Sequence, residues 1–101
     1  MKFGLTEEHY KILKAILIDR LKSHEAKVFV FGSRARGSHH PFSDIDIVFI
    51  ENPKKTIPQN EILIIKENLE ESSLPIKVDL VNFNDLAKSY LHSVEKDKIE
   101  V

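Results

Sequence analysis

A chain of 101 residues is the length of one small domain, and 42% hydrophobic with 31% charged residues is the balance of a folded globule. Fifteen Lys and Arg stand against 16 Asp and Glu, so a net charge of −1 leaves room for a local basic patch but not for general sheathing of nucleic acid. The absence of cysteine excludes disulfides, a thiolate zinc site and a Cys nucleophile, and no apolar run approaches the ~20 residues of a membrane span or resembles a signal peptide. These features predict a soluble, cytoplasmic, single domain over 1–101.

In chain order, Thr6 is a helix N-cap, with Glu7 and Glu8 in the first turn where the helix dipole favours negative charge. Tyr10, Leu13, Leu17 and Leu21, with Ile12 and Ile16 beside them, recur at helical spacing, which predicts a helix over 6–24. Lys27 to Phe31 is β-branched and aromatic and runs into Gly32, the pattern of a buried strand. Two of the three glycines, Gly32 and Gly37, bracket one short interval, so backbone freedom is concentrated there. A polar loop over 38–43, broken by Pro41, leads into a second strand over 44–50. Residues 59–72 read as a helix with Ile62, Ile65 and Leu69 on one face. Residues 76–81 read as a third strand, and a last helix capped by Asn84 runs to Glu95 with Leu86, Tyr90, Leu91 and Val94 on its apolar side. The order α-β-β-α-β-α predicts an α/β (α+β) fold, a small mixed sheet covered by helices.

Chemistry concentrates on the strands. Asp44 and Asp46 are two apart, so their carboxylates share a face with Cα atoms roughly 6–7 Å apart, while Ile45, Ile47 and Phe49 point to the core. Two acids on an apolar strand are costly, because like charges repel and partial burial disfavours ionisation. A hard divalent cation relieves that cost, since Mg2+ prefers carboxylate oxygen. A lone Asp-x-Asp reads most simply as a strand end entering solvent. Asp79, set between Val78 and Leu80 on another apolar strand, supplies a third carboxylate and favours convergence on a two-metal site.

Gly32-Ser33 leaves the first strand with room for close backbone approach, an N–H and a hydroxyl, which suits phosphate oxygens, although a bare Gly-Ser reads most simply as an ordinary strand-exit turn. Arg34 and Arg36 are also phosphate candidates, although two residues apart on a helix they cannot face the same way. One phosphate contact and one solvated or partner contact is the expected division. The adjacent His39 and His40 read as loop residues rather than ligands.

Taken together these residues resemble a known family. Gly32-Ser33, ten intervening residues, then Asp44-x-Asp46 matches the pattern of the DNA polymerase β-like nucleotidyltransferases. The run GSRARG…SDIDIVF is similar to the minimal nucleotidyltransferases, the stand-alone antitoxin members of that superfamily. The resemblance extends over nearly the whole chain. It implies a polymerase β-like fold in which Asp44 and Asp46 bind Mg2+ and the triphosphate. Asp79 would complete the metal set and act as base toward the attacking hydroxyl. Gly32 and Ser33 would hold the β- and γ-phosphates, within a nucleotide-binding set that also takes in Arg34, Arg36, Gly37 and Ser43. Two Mg2+ ions, or Mn2+ in their place, are the implied cofactors, and ATP is the implied donor. The implied partner is a HEPN-domain RNase toxin whose tyrosine receives AMP, in a homo- or hetero-oligomeric assembly. The alternative is a non-catalytic antitoxin that neutralises its partner by occlusion. Transfer to RNA or a small molecule would need an acceptor-binding domain for which 101 residues leave no space.

Overall fold

In the computed structural model, which describes residues 2–101, the N-terminal periodicity resolves into one helical rod. It comprises α1 (Glu7–Leu13), a π-helical turn (Lys14–Ile18) and α2 (Asp19–Ser23). Thr6 caps it as expected, its hydroxyl accepting from the His9 amide at 3.1 Å. Leu13, Leu17 and Leu21 are fully buried, and the π turn brings Ile18 inward beside them. An ion pair from Arg20 to Glu61 ties the rod to the later helix α4 (Gln59–Glu71).

Four strands form one sheet in the order β3-β2-β1-β4: β1 (Lys27–Phe31), β2 (Ile45–Ile50), β3 (Val78–Asn82) and β4 (Ile99–Glu100). β1 runs antiparallel to β2 and to β4, whereas β2 and β3 are parallel and joined through α4, as a parallel pair requires. The sheet is therefore mixed, and the α+β expectation holds. The strands differ in detail from expectation. Asp44 lies one residue ahead of β2, β3 starts at Val78 rather than 76, and β4 adds a fourth strand to the three expected. The last helix, α5 (Lys88–Asp97), starts later than expected. Its approach is a 3-10 turn (Phe83–Asp85) capped by the Asn82 side chain, which accepts from the Asn84 amide at 2.9 Å.

Strand alternation divides the buried residues between two faces. Val28, Val30, Ile45, Ile47, Phe49 and Leu80 lie on one face against the rod and α4, with Ile65 and Leu69. Each fully buried aliphatic there contributes about 1.5–3 kcal/mol by leaving water. Phe29, Val48 and Val94 form a smaller cluster on the other face, where α5 covers only part of the sheet. Among the described residues no helix is long and apolar enough to cross a membrane.

Candidate active site

The uncovered part of the second face carries the acids. β2 and β3 are in register so that Asp46 sits directly opposite Asp79, and Phe31 of β1 flanks Asp46 on its other side. Parallel neighbours at one level project to the same face, which is why two acids separated by 32 intervening residues meet. Asp44 precedes them by two positions, exposed at the entry to β2. Asp46 is half-buried. Burial, and after it the charges of Asp79 and Asp44, holds its carboxyl above the usual aspartate range, with Arg36 opposing. The three acids thus share one field. Among the described residues no three acidic or imidazole groups stand at the spacing of a formed metal site, so the three carboxylates do not close a cage.

Gly32 supplies the wall beside them. Its φ of 75° and ψ of −156° lie in a region that essentially only glycine occupies, and a Cβ there would fall on Asp46 Oδ2. The chain turns sharply and starts the short helix α3 (Ser33–Arg36), which puts half-buried Ser33 at its first position. Gly37 closes the helix in the left-handed conformation, and its amide donates to the Ser33 carbonyl. This close approach of a bare backbone to a half-buried carboxylate is a cradle suited to a cation shared with phosphate oxygens, and the all-oxygen donor set fits Mg2+ or Mn2+.

The two arginines separate as their spacing requires. Arg36 is exposed on the acid side, and its Nη1 donates to Asp97 Oδ2 of α5 at 2.6 Å. Arg34 corrects the expectation of a nucleotide contact. It is only 3% exposed, and its guanidinium is occupied by backbone carbonyls: Nε and Nη2 to Ser43 O at 3.0 and 2.8 Å, Nη2 to Pro41 O at 3.2 Å, and Nη1 to Phe3 O at 2.8 Å. Burial lowers its pKa from the ordinary arginine value, with Asp44 opposing. Ser43 serves the loop itself, its carbonyl taking Arg34 and its Oγ accepting from the His40 amide at 2.8 Å. His40 is exposed, and the His39 ring faces Gly4 with a buried, unpartnered Nδ1. The Arg34 contacts and the Arg36–Asp97 pair have no local sequence signal, because they join residues brought together only by the fold.

Comparison with known proteins identifies the family and the fold. Residues 10–101 match the model of the nucleotidyltransferase domain family. A Methanocaldococcus jannaschii protein, named provisionally as a protein adenylyltransferase, is 36% identical over 99 residues, covering 96% of this chain and 91% of its own. A solved structure described as a minimal nucleotidyltransferase is 27% identical with a TM-score of 0.70, covering all of this chain and 97% of that one. A complex of tri-AMPylated Shewanella oneidensis HEPN toxin with an MNT antitoxin shares the fold at a TM-score of 0.58 and 22% identity, covering 91% of this chain and 66% of that one.

Proposed function

This chain belongs to the nucleotidyltransferase domain family, among its minimal members, and we propose that it transfers AMP from ATP to a hydroxyl of a protein partner. The partner is a HEPN-type toxin, the accepting group is a tyrosine, and the modification is how this chain acts as antitoxin. The observation that carries the reading is the Asp46–Asp79 register beside the Gly32 turn. The adenylyltransferase name of the archaeal relative and the AMPylated toxin in the Shewanella complex support the acceptor class.

The chain's residues divide the work. Asp44, Asp46 and Asp79 are the residues to hold Mg2+, as two ions, and Mn2+ can replace it. When bound, the metal supplies positive charge to the triphosphate and its departing oxygen. Gly32 and Ser33 hold the β- and γ-phosphates through backbone approach and the serine hydroxyl, and Arg36, on the same side, adds positive charge near them. The acceptor oxygen attacks the α-phosphorus in line, the new P–O bond forms as the bond to pyrophosphate breaks, and Asp79 takes the hydroxyl proton. Asp79 suits that role because it is the exposed member of the opposed pair.

The test uses ATP labelled in the α- or the γ-phosphate, with Mg2+ and a candidate HEPN protein. Transfer predicts α-label on the partner and γ-label in free pyrophosphate. A tight complex carrying neither label contradicts catalysis and identifies neutralisation by occlusion.

A further inference from the structure

A guanidinium withdrawn from water is costly unless its fork of donors is satisfied. Arg34 meets that condition through carbonyls from two separate segments. Pro41 and Ser43 flank Phe42 in the loop that enters Asp44. Phe3 belongs to an N-terminal turn closed by the Leu5 amide on the Lys2 carbonyl at 2.9 Å. That turn is tightly shaped, with positive φ at Phe3 (55°) and Gly4 (75°), and Leu5 anchors it in the core at 3% exposure. The loop over 38–44 has little else to fix it. Among the described residues, its bonds to the body of the protein are the Ser38 amide to Ser33 O and the three from Arg34. The others are local, between His40 and Ser43.

We propose that Arg34 is a positioning residue: it locks the loop over 38–44 onto the N-terminal turn and so sets where the Asp44 carboxylate stands relative to Asp46 and Asp79. The inference rests on reading those carboxylates as the metal-holding set. It makes the turn at residues 2–5, outside the 10–101 span that matches the family, part of the support of the site. Lysine cannot do the same work. Its compact ammonium is a point donor, whereas three carbonyls around one plane need the guanidinium fork. Gly4 is required for the same reason, since a Cβ there would collide with the His39 ring and stand 2.8 Å from Arg34 Nη1.

The experiment compares the intact protein with Arg34→Met, Arg34→Lys and Gly4→Ala by amide hydrogen exchange, and by calorimetric titration with Mn2+ alone. In Arg34→Met and Arg34→Lys, exchange over 38–44 should rise about tenfold or more while the amides of β1 and β2 stay protected. Mn2+ affinity should fall roughly 10- to 100-fold, as when the support of a metal ligand is removed. Gly4→Ala should give the same pattern without altering any charge, and it serves if an Arg34 variant does not fold. Unchanged loop exchange in a folded variant would overturn the proposal. So would a freed loop with undiminished Mn2+ affinity, or a uniform loss of protection across the whole sheet. Asp46→Asn separates this from the underlying reading. Full Mn2+ binding in that variant would refute the carboxylate site, and loop exchange would still decide whether Arg34 holds the loop.

Discussion

The two faces of the sheet are built from the same strands and do opposite things. On the face toward the rod and α4, β2 presents Ile45, Ile47 and Phe49, all buried. On the other face the same strand and its entry present Asp44, Asp46 and Val48, of which only Val48 is fully buried. A period of two therefore puts apolar packing on one face and carboxylates on the other within six residues. The incomplete cover by α5 leaves the acids accessible. The covered face tolerates their mutual repulsion because it does not depend on them.

Exchanging the roles of neighbouring residues breaks the comparison. Asp46→Asn should reduce AMP transfer on the order of 10²–10³-fold or more, since the cation that would offset charge on the reacting phosphates loses a carboxylate ligand, with the fold retained. Ile47→Ala, one residue on, should do the reverse. It should cost about 2–5 kcal/mol of stability, read by denaturant unfolding, with activity per folded molecule unchanged. Equal loss of both properties in both variants would mean that the faces are not separable.

Gly32→Ala tests the boundary between the faces. The backbone conformation alone costs roughly 1–3 kcal/mol for a residue with a Cβ. That carbon also meets the Asp46 carboxylate, so metal affinity and stability should fall together. Calorimetric titration and thermal melts on one sample read both.

A smaller effect has a sign set by pH. The Asp46 carboxyl is held above its usual range by burial and by Asp79 and Asp44, so its ionised form opposes folding. The penalty is complete above the folded-state pKa. It shrinks as pH falls through that raised value and vanishes below the unfolded pKa, where both states are protonated. In EDTA at neutral pH, Asp46→Asn should therefore melt higher than the parent, and the gap should close on acidification. Saturating Mg2+ should reverse the order, because only the intact set gains from a ligand bound to the native state. A lower melting point for Asp46→Asn in EDTA would mean that Asp46 is structural. The least change is expected from Ser33→Ala: about 1 kcal/mol of ATP affinity from one lost hydroxyl contact, with stability intact.

Much of this was legible in the amino-acid order. The alternation of β2 put Asp44 and Asp46 on the face opposite Ile45 and Ile47, and the Val78-Asp79-Leu80 pattern announced the third acid, because strand sidedness is a local property. Gly32 was readable as a close approach for the same reason. Arg34 was not. Its partners Phe3, Pro41 and Ser43 offer carbonyls, which every residue carries, so no residue type marks the contact in advance. β4 was missed because two exposed residues, Ile99 and Glu100, show no pattern until β1 offers them an edge. The start of α5 differs because Asn84, which reads as its cap, lies in a separate 3-10 turn capped by Asn82, and α5 begins after Ala87, whose side chain cannot cap.

The most direct measurement is the intact mass of a HEPN partner after incubation with this protein, ATP and Mg2+, beside the same reaction with Asp46→Asn. The account predicts a partner heavier by whole AMP units in the first reaction and unmodified in the second, with the complex forming in both. An unmodified partner in the first reaction, or equal modification in both, would contradict it.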